Sequence, residues 1–556
     1  MTARLLSSHT DTFAHDHLPP VDAWPVFVFD RPEVQYPEQL NACVELLDAH
    51  VRAGHGSRPA VHGVGAQGPF TWSYAQLQAQ VDRIAHVLVN DMGLVSGNRV
   101  LLRGGNSPMM AACWLAAIKA GLVVVPTMPL LRSAELAQII DKAQVQAALC
   151  AEALAAELAH CLNPAHAHHT PSLRSVMHFG GEASQGLEHC MAAHDAPFTA
   201  HPTLRDDVCV MAFTSGTTGK PKGTMHFHRD VLAMCDLFPR HILNMGPDDV
   251  VCGTPPIAFT FGLGGLLAFP LRHGASTVLL EKLTPELLLQ ALEKYRATQC
   301  YTAPTFYRQM ALLADGVDLS SLRHPVSAGE ALPEATRQLW LQHTGIPITD
   351  GIGGTEVIHI YIASAGKDWR PGTLGQVVPG YQAQIVDDDM QPVPPGTPGR
   401  LAVRGPTGCR YLDDPRQTDY VKDGWNLPGD TFVMDADGYF SYLSYLARND
   451  DMIVSAGYNI AGPEVESVLL QHPAVAECGV VGAPDEARGH VVSAYVVLKP
   501  GVVASDALAS ELQDFVKAQI APYKYPRRID FVAQLPRTET GKLQRFRLRQ
   551  MAQSPH

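Results

Sequence analysis

The chain has 556 residues, more than one hydrophobic core absorbs, so two or more domains are expected. Hydrophobic residues make up 46% and charged residues 17%, an ordinary globular balance. With 42 Lys+Arg against 55 Asp+Glu the formal charge is −13, which argues against a general binder of nucleic acid or of anionic membranes. The charge is uneven, because residues 517–549 carry nine Lys/Arg against only Asp530 and Glu539. Such a basic tail suits a polyanionic small ligand, a charged partner face or a solvated helix end. Eleven cysteines are dispersed without a C-x-x-C pair, the pattern of reduced core thiols. The N-terminal stretch lacks the apolar core of a signal peptide. The most apolar run, Ala111–Pro126, is broken by Lys119 and too short to span a bilayer. A soluble cytoplasmic protein is expected, monomer or homodimer, without membrane or nucleic-acid partners.

From about residue 98 short β-branched runs alternate with amphipathic stretches. Strands are predicted at Arg99–Leu102, Leu122–Val125, Val208–Ala212, Val250–Gly253, Ser276–Leu280 and Ile346–Thr349, and helices at Pro108–Ala120, Ala134–Lys142, Pro285–Tyr295 and Pro333–His343. This alternation predicts an α/β fold with parallel-rich sheets covered by helices. Gly63–Gly68 fits G-x-G-x-x-G, but Pro69-Phe70-Thr71-Trp72 follows instead of a helix, so a hairpin turn is predicted. His160, His166, His168 and His169 lack metal-ligand spacing and read as a solvated loop. After about residue 380, Gln391–Gly399 carries four prolines and two glycines, which points to a small β subdomain. Beyond Arg448 a compact α+β module is predicted: strand Met452–Val454, helix Glu464–Gln471, strands Ala476–Val481 and Val491–Leu498, helix Ser505–Ile520 and strand Ile529–Val532. The domains are therefore placed at 1–447 and 448–556.

The segment with the most chemistry is Thr214-Ser215-Gly216-Thr217-Thr218-Gly219-Lys220-Pro221-Lys222-Gly223, directly after the run Val208–Phe213. Four hydroxyls, three glycines and two lysines in ten residues supply the turning freedom, donors and positive charge that a triphosphate requires. It is not a Walker A loop, since Thr214 stands at the first glycine and Pro221 follows the lysine. No G-x-S-x-G elbow exists to support a serine hydrolase.

These residues closely resemble the phosphate loop of the adenylate-forming superfamily of acyl-CoA synthetases, adenylation domains and luciferases. The resemblance covers essentially all of residues 36–550. Asp350-Gly351-Ile352-Gly353-Gly354-Thr355-Glu356 matches the next motif, in which Thr355 touches the α-phosphate and Glu356 holds Mg²⁺. By the same likeness Gly329, Glu330 and Asp350 border the nucleotide, and Asp430 accepts from the ribose hydroxyls. Arg448 lies near the nucleotide and Asp450 is the hinge between the domains. Ser455-Ala456-Gly457-Tyr458 resembles the loop lining the coenzyme A tunnel, and Lys542 matches the lysine that bridges carboxylate and α-phosphate. One departure is Ala447, where the family usually has glycine.

The resemblance also implies an acyl pocket of Phe259, Phe261, Ala303, Ala328, Gly351, Gly353, Ile358 and His359. Two phenylalanines facing alanines and glycines make a slot suited to an aryl ring. The first pocket loop, Ile257–Gly262, lacks the aspartate with which amino-acid-activating relatives pair an ammonium group. The Gly351–Glu356 run with His359 resembles benzoate-CoA ligases, and Asp11–Leu47 looks most like 2-aminobenzoate-CoA ligases. The implied activity joins a small aryl acid to coenzyme A with ATP and Mg²⁺. Alternatives are an adenylation enzyme loading a carrier protein, a medium-chain acyl-CoA synthetase, or a catalytically idle nucleotide-binding protein. With 14 residues after Lys542, no fused carrier is expected.

Overall fold

The computed structural model describes residues 6–65, 68–181, 186–214, 221–329, 332–364, 369–442, 452–536 and 543–553. Two large sheets form the N-terminal part. One has six strands in the order Ser175–Phe179, Ala147–Ala151, Arg99–Arg103, Val123–Thr127, Val208–Thr214 and Lys222–Phe227. Only the last pair is antiparallel. The other has nine strands and a parallel interior that runs from Thr349–Gly353 through His324–Ser327, Gln299–Thr302, Val250–Gly253 and Ser276–Val278 to Pro59–Gly65. Antiparallel strands close both of its edges. Gly65 pairs with Gly68, so the glycine run at 63–68 is the predicted hairpin.

Two helices lie between the sheets. Pro108–Lys119 packs on Arg99–Arg103 and Val123–Thr127 of one sheet and Pro59–Gly65 of the other. Its start is set by Ser107, whose hydroxyl accepts from the Met110 N–H, and by Pro108 at the first helical position. Buried on both sides, it is apolar almost all round rather than amphipathic. Lys119, at its end, is neutralised within the core by Asp48 at 2.9 Å and Asp82 at 2.6 Å. His228–His241 likewise touches Lys222–Phe227 and Ile360–Ser364.

A third sheet, containing Gln382–Val386, Gly399–Arg404 and Thr431–Met434, is the expected small β subdomain. The C-terminal module pairs Val475–Asp485 with Gly489–Leu498 antiparallel, and the latter with Arg528–Phe531 parallel. Helices Gly462–Leu469, Asp506–Gln519 and Arg545–Gln553 accompany this sheet. All eleven cysteines are free and all but Cys190 are buried. No described helix is long and apolar enough to cross a membrane. His160 sits on the helix Ala155–Leu162, not in a loop, with its ring stacked on His166 at 4.3 Å.

Candidate active site

The carboxyl ends of parallel strands place their following loops together, which is where ligands bind in open α/β sheets. Here those ends deliver Thr214, the loop Thr254–Phe261, Ala303, Ala328 and Gly329 to one cavity of about 1650 Å³. That exceeds the usual volume of roughly 300–1,000 Å³ for a single small-molecule site. The cavity continues from the aromatic loop past Asp350–Glu356 and Asp430 to the C-terminal module at Ala456–Tyr458, Arg488 and Arg549.

Thr214 and Lys222 are the cross-strand pair of an antiparallel hairpin that flanks its connecting segment. Ser215, Gly216, Thr217, Thr218, Gly219 and Lys220, the tip of the expected phosphate loop, lie outside the described residues, as do Glu330, Arg448, Asp450 and Lys542. The described flanks bring Lys222 Nζ to 3.4 Å from Glu356 Oε1. Burial opposes ionisation of Glu356, yet the Lys222 ammonium and the Tyr411 hydroxyl outweigh it and lower its pKa below the ordinary carboxylate value. Tyr411 Oη donates to Glu356 Oε1 at 2.6 Å and accepts from Lys222 Nζ at 3.0 Å. Tyr411 carries no motif in the sequence. It arrives because residues 410–412 run alongside Lys222–Phe227, with Met225 N–H donating to the Arg410 carbonyl and Leu412 N–H to that of Gly223. Strand alternation then sends Tyr411 toward Glu356 and its neighbour Arg410 toward a buried ion pair with Asp230.

Asp350 is buried beside Arg337, whose guanidinium lies 3.2 Å away. Burial pushes its pKa from 3.8 up to about 7, with Arg337 and the Gly351 N–H offsetting part of the effect. A carboxyl that holds its proton more tightly when folded adds stability that is lost as pH rises from 3.8 through about 7. Measured across pH 5–8, the melting temperature of Asp350→Asn should therefore gain on wild type as pH rises. A constant gap would remove the buried proton.

Phe259 and Phe261 are half-buried at the cavity wall, and Ala303, Ala328, Gly351, Gly353 and His359 line it. Ile358 does not. Its backbone sits at φ 70°, a left-handed conformation that β-branched residues rarely adopt, and its side chain belongs to the core. Ile352 and Ile360 take the wall instead. Ser455 is also corrected, since it is buried in the strand Met452–Ser455 and the cavity meets Ala456, Gly457 and Tyr458. Ala456 at φ 48° and Gly457 at φ 82° form the two-residue tip of a hairpin, a turn with positive φ at both central positions. A Cβ placed on Gly457 would lie 3.5 Å from the Ala303 Cβ, so this tip stands against Ala303 at the cavity.

The C-terminal module is held in this arrangement by Lys524, which pairs with Glu464 at 2.7 Å and with Glu135 of the N-terminal part. Glu135 also accepts from the Ala521 N–H at 3.0 Å. Burial opposes the charge on Lys524, but Tyr523, Glu135 and Glu464 outweigh it and raise its pKa.

The pattern of AMP-binding enzymes matches residues 48–410, and that of the AMP-binding enzyme C-terminal domain matches residues 464–542. The chain belongs to the AMP-binding enzyme family. It is 35% identical to the benzoate–CoA ligase of Thauera aromatica over 93% of this chain and 97% of that one. The solved anthranilate–CoA ligase AuaEII in complex with anthranoyl-AMP is 32% identical, with TM-score 0.70, over 93% of this chain and 98% of its own. The amide bond synthetase McbA of Marinactinospora thermotolerans is 28% identical, with TM-score 0.80, over 93% and 100%. The protein is thus an acyl-CoA ligase that uses ATP, Mg²⁺ and coenzyme A. The site of the ligase fits that cation: Glu356 is an ionised, buried carboxylate at the cavity, and hard cations take oxygen ligands.

Proposed function

We propose that the ligase activates an aryl acid, 2-aminobenzoate or benzoate, as the acyl-adenylate and transfers the acyl group to coenzyme A. The observation that carries this reading is the aromatic wall. The Phe261 ring stands edge-on to Tyr301 at 5.9 Å and 5.8 Å from His359, and the small residues Ala303, Ala328, Gly351 and Gly353 line the same cavity. Such a slot admits a flat ring and offers little to a flexible chain.

His359 supports the ortho-amino acid in particular. Its Nε2 lies 3.4 Å from the Phe261 carbonyl, which can only accept, so this nitrogen carries the proton. Burial lowers the ring's pKa to about 3, with the Phe261 carbonyl opposing, so the ring is neutral at pH 7. Its Nδ1 is then a lone-pair acceptor, buried in the wall and without a partner among the described residues. A 2-amino group donates to such an atom, whereas benzoate has nothing to offer it.

In the proposed mechanism Lys220, Lys222 and the loop hydroxyls hold the β- and γ-phosphates, Asp430 holds the ribose and Arg448 lies near the nucleotide. Gly329, Glu330 and Asp350 border the nucleotide. Glu356 holds Mg²⁺, which when bound neutralises phosphate charge. The substrate carboxylate attacks the α-phosphorus, pyrophosphate leaves, and Thr355 and Lys542 stabilise the charge that develops. The 448–556 domain then turns about Asp450 and exchanges Lys542 for the Gly457 hairpin, which guides the thiol to the acyl carbon, where the C–S bond forms, the thiol loses its proton and AMP leaves. Arg488 and Arg549 line the cavity beside the C-terminal module, where their positive charge would suit the phosphates of coenzyme A.

Pyrophosphate release is expected to favour aryl acids over hexanoate or octanoate by about tenfold or more in kcat/KM, since one stacked ring contributes about 0.5–1.5 kcal/mol beyond area burial. Equal turnover of octanoate would defeat the aryl assignment. Acyl-CoA formation with free coenzyme A and no carrier protein separates the ligase from a carrier-loading enzyme. His359→Ala should lower the 2-aminobenzoate to benzoate ratio more than it lowers benzoate turnover, and an unchanged ratio would remove His359 from recognition.

A further inference from the structure

The strand Lys222–Phe227 has two faces of different purpose. Met225 and Phe227 point into an apolar cluster with Leu101, Val123 and Met211. Lys222, Thr224 and His226 share the opposite face by strand alternation. Lys222 reaches Glu356, and His226 Nε2 lies 2.8 Å from the Thr355 carbonyl. His226 is fully buried. A carbonyl only accepts, so Nε2 carries the proton and donates.

The same Thr355 carbonyl accepts from the Ile358 N–H at 3.1 Å, closing the turn Thr355–Val357. Ile358, immediately after that turn, is the β-branched residue at φ 70°. Backbone of this kind persists only where its surroundings over-determine it. The His226 bond is one such restraint, coming from 129 residues away on the hairpin that carries the phosphate loop. Thr355 and Glu356 sit on this turn, so its placement sets where both side chains meet the cavity.

We propose that His226 is a positioning residue for adenylation: by donating Nε2–H to the Thr355 carbonyl, it fixes the Thr355–Glu356 turn against the phosphate hairpin. The proposal rests on the reading of Thr355 and Glu356 as nucleotide-contacting residues. Its test compares His226→Leu, His226→Asn and His226→Gln in pyrophosphate release with ATP varied and then with benzoate varied. Glutamine places a donor near the position of Nε2, asparagine places one near Nδ1, and leucine has none. Losing the bond should lower kcat/KM for ATP about tenfold in the Leu and Asn variants, a typical consequence of one unmade buried hydrogen bond. Their KM for benzoate should stay within about twofold, and the Gln variant should recover to within about threefold of wild type.

His226 Nδ1 lies 3.8 Å from Asp230 Oδ2, a side of the ring on which asparagine keeps a donor and glutamine does not, so the melting temperature of the Gln variant should fall at least as far as that of the Asn variant and recovery by Gln cannot come from folding. Thr355→Ala separates the two ideas. If it leaves pyrophosphate release intact, the nucleotide role of the turn is wrong. If it impairs release while Gln at 226 performs no better than Asn, the positioning role of His226 is wrong.

Discussion

Replacing Lys542 by alanine is expected to slow acyl-adenylate formation on the order of 10²-fold or more, the usual cost of one preorganised donor at developing charge. In that step an anionic carboxylate must approach an anionic α-phosphate. A charge pair at about 4 Å contributes roughly 4 kcal/mol at an effective dielectric near 20, which sets the scale of what the lysine offsets. The Gly457 hairpin of the C-terminal module stands against Ala303. If that is the thioester-forming arrangement, the lysine has no part in the second step. Thioester formation from purified acyl-adenylate and coenzyme A should then stay within a few-fold of wild type. Measuring the two half-reactions separately decides the matter, and their joint collapse would refute the exchange of Lys542 for the hairpin.

The mirror-image result is expected for Gly457→Leu. The residue sits at φ 82° at the hairpin tip, and its Cβ would already stand 3.5 Å from the Ala303 Cβ. A left-handed backbone costs a side-chain-bearing residue roughly 1–2 kcal/mol, so the turn would shift. Beyond Cβ the leucine would fill the gap through which the thiol reaches the acyl carbon. Misplacement of this kind costs about 10²-fold in rate, and it should fall on thioester formation alone. Adenylation, with the hairpin withdrawn, should remain within a few-fold of wild type. Gly457→Ala, with no atoms beyond Cβ, should show a smaller loss of the same kind. A Leu variant slow in adenylation and normal in thioester formation would place the hairpin in the wrong half-reaction.

Sequence alone was enough for the family, because its motifs are local. A run of hydroxyls, glycines and lysines at 214–223 needs only the turn that joins two strands, so its phosphate chemistry is readable in order along the chain. The α/β architecture was readable for a similar reason: the β-branched runs at Arg99–Arg103, Val123–Thr127 and Val250–Gly253 are buried strands whose pattern survives any neighbour. The strand predicted at Ile346–Thr349 instead spans Thr349–Gly353, ending in the glycine-bearing run Gly351–Gly353. Glycine disfavours strands intrinsically, but pairing with His324–Ser327 on one side and Ile360–Ser364 on the other overrides that preference. The wall position of Ile358 was lost for a related reason, since a positive φ that no local pattern announces turns its side chain into the core. Tyr411 and His226 were decided by tertiary structure outright. Each acts on the Thr355–Glu356 turn from backbone 55 or 129 residues distant, Tyr411 bridged to Thr224 and His226 on the same strand, and this pairing register, not spacing along the chain, sets which face each side chain takes.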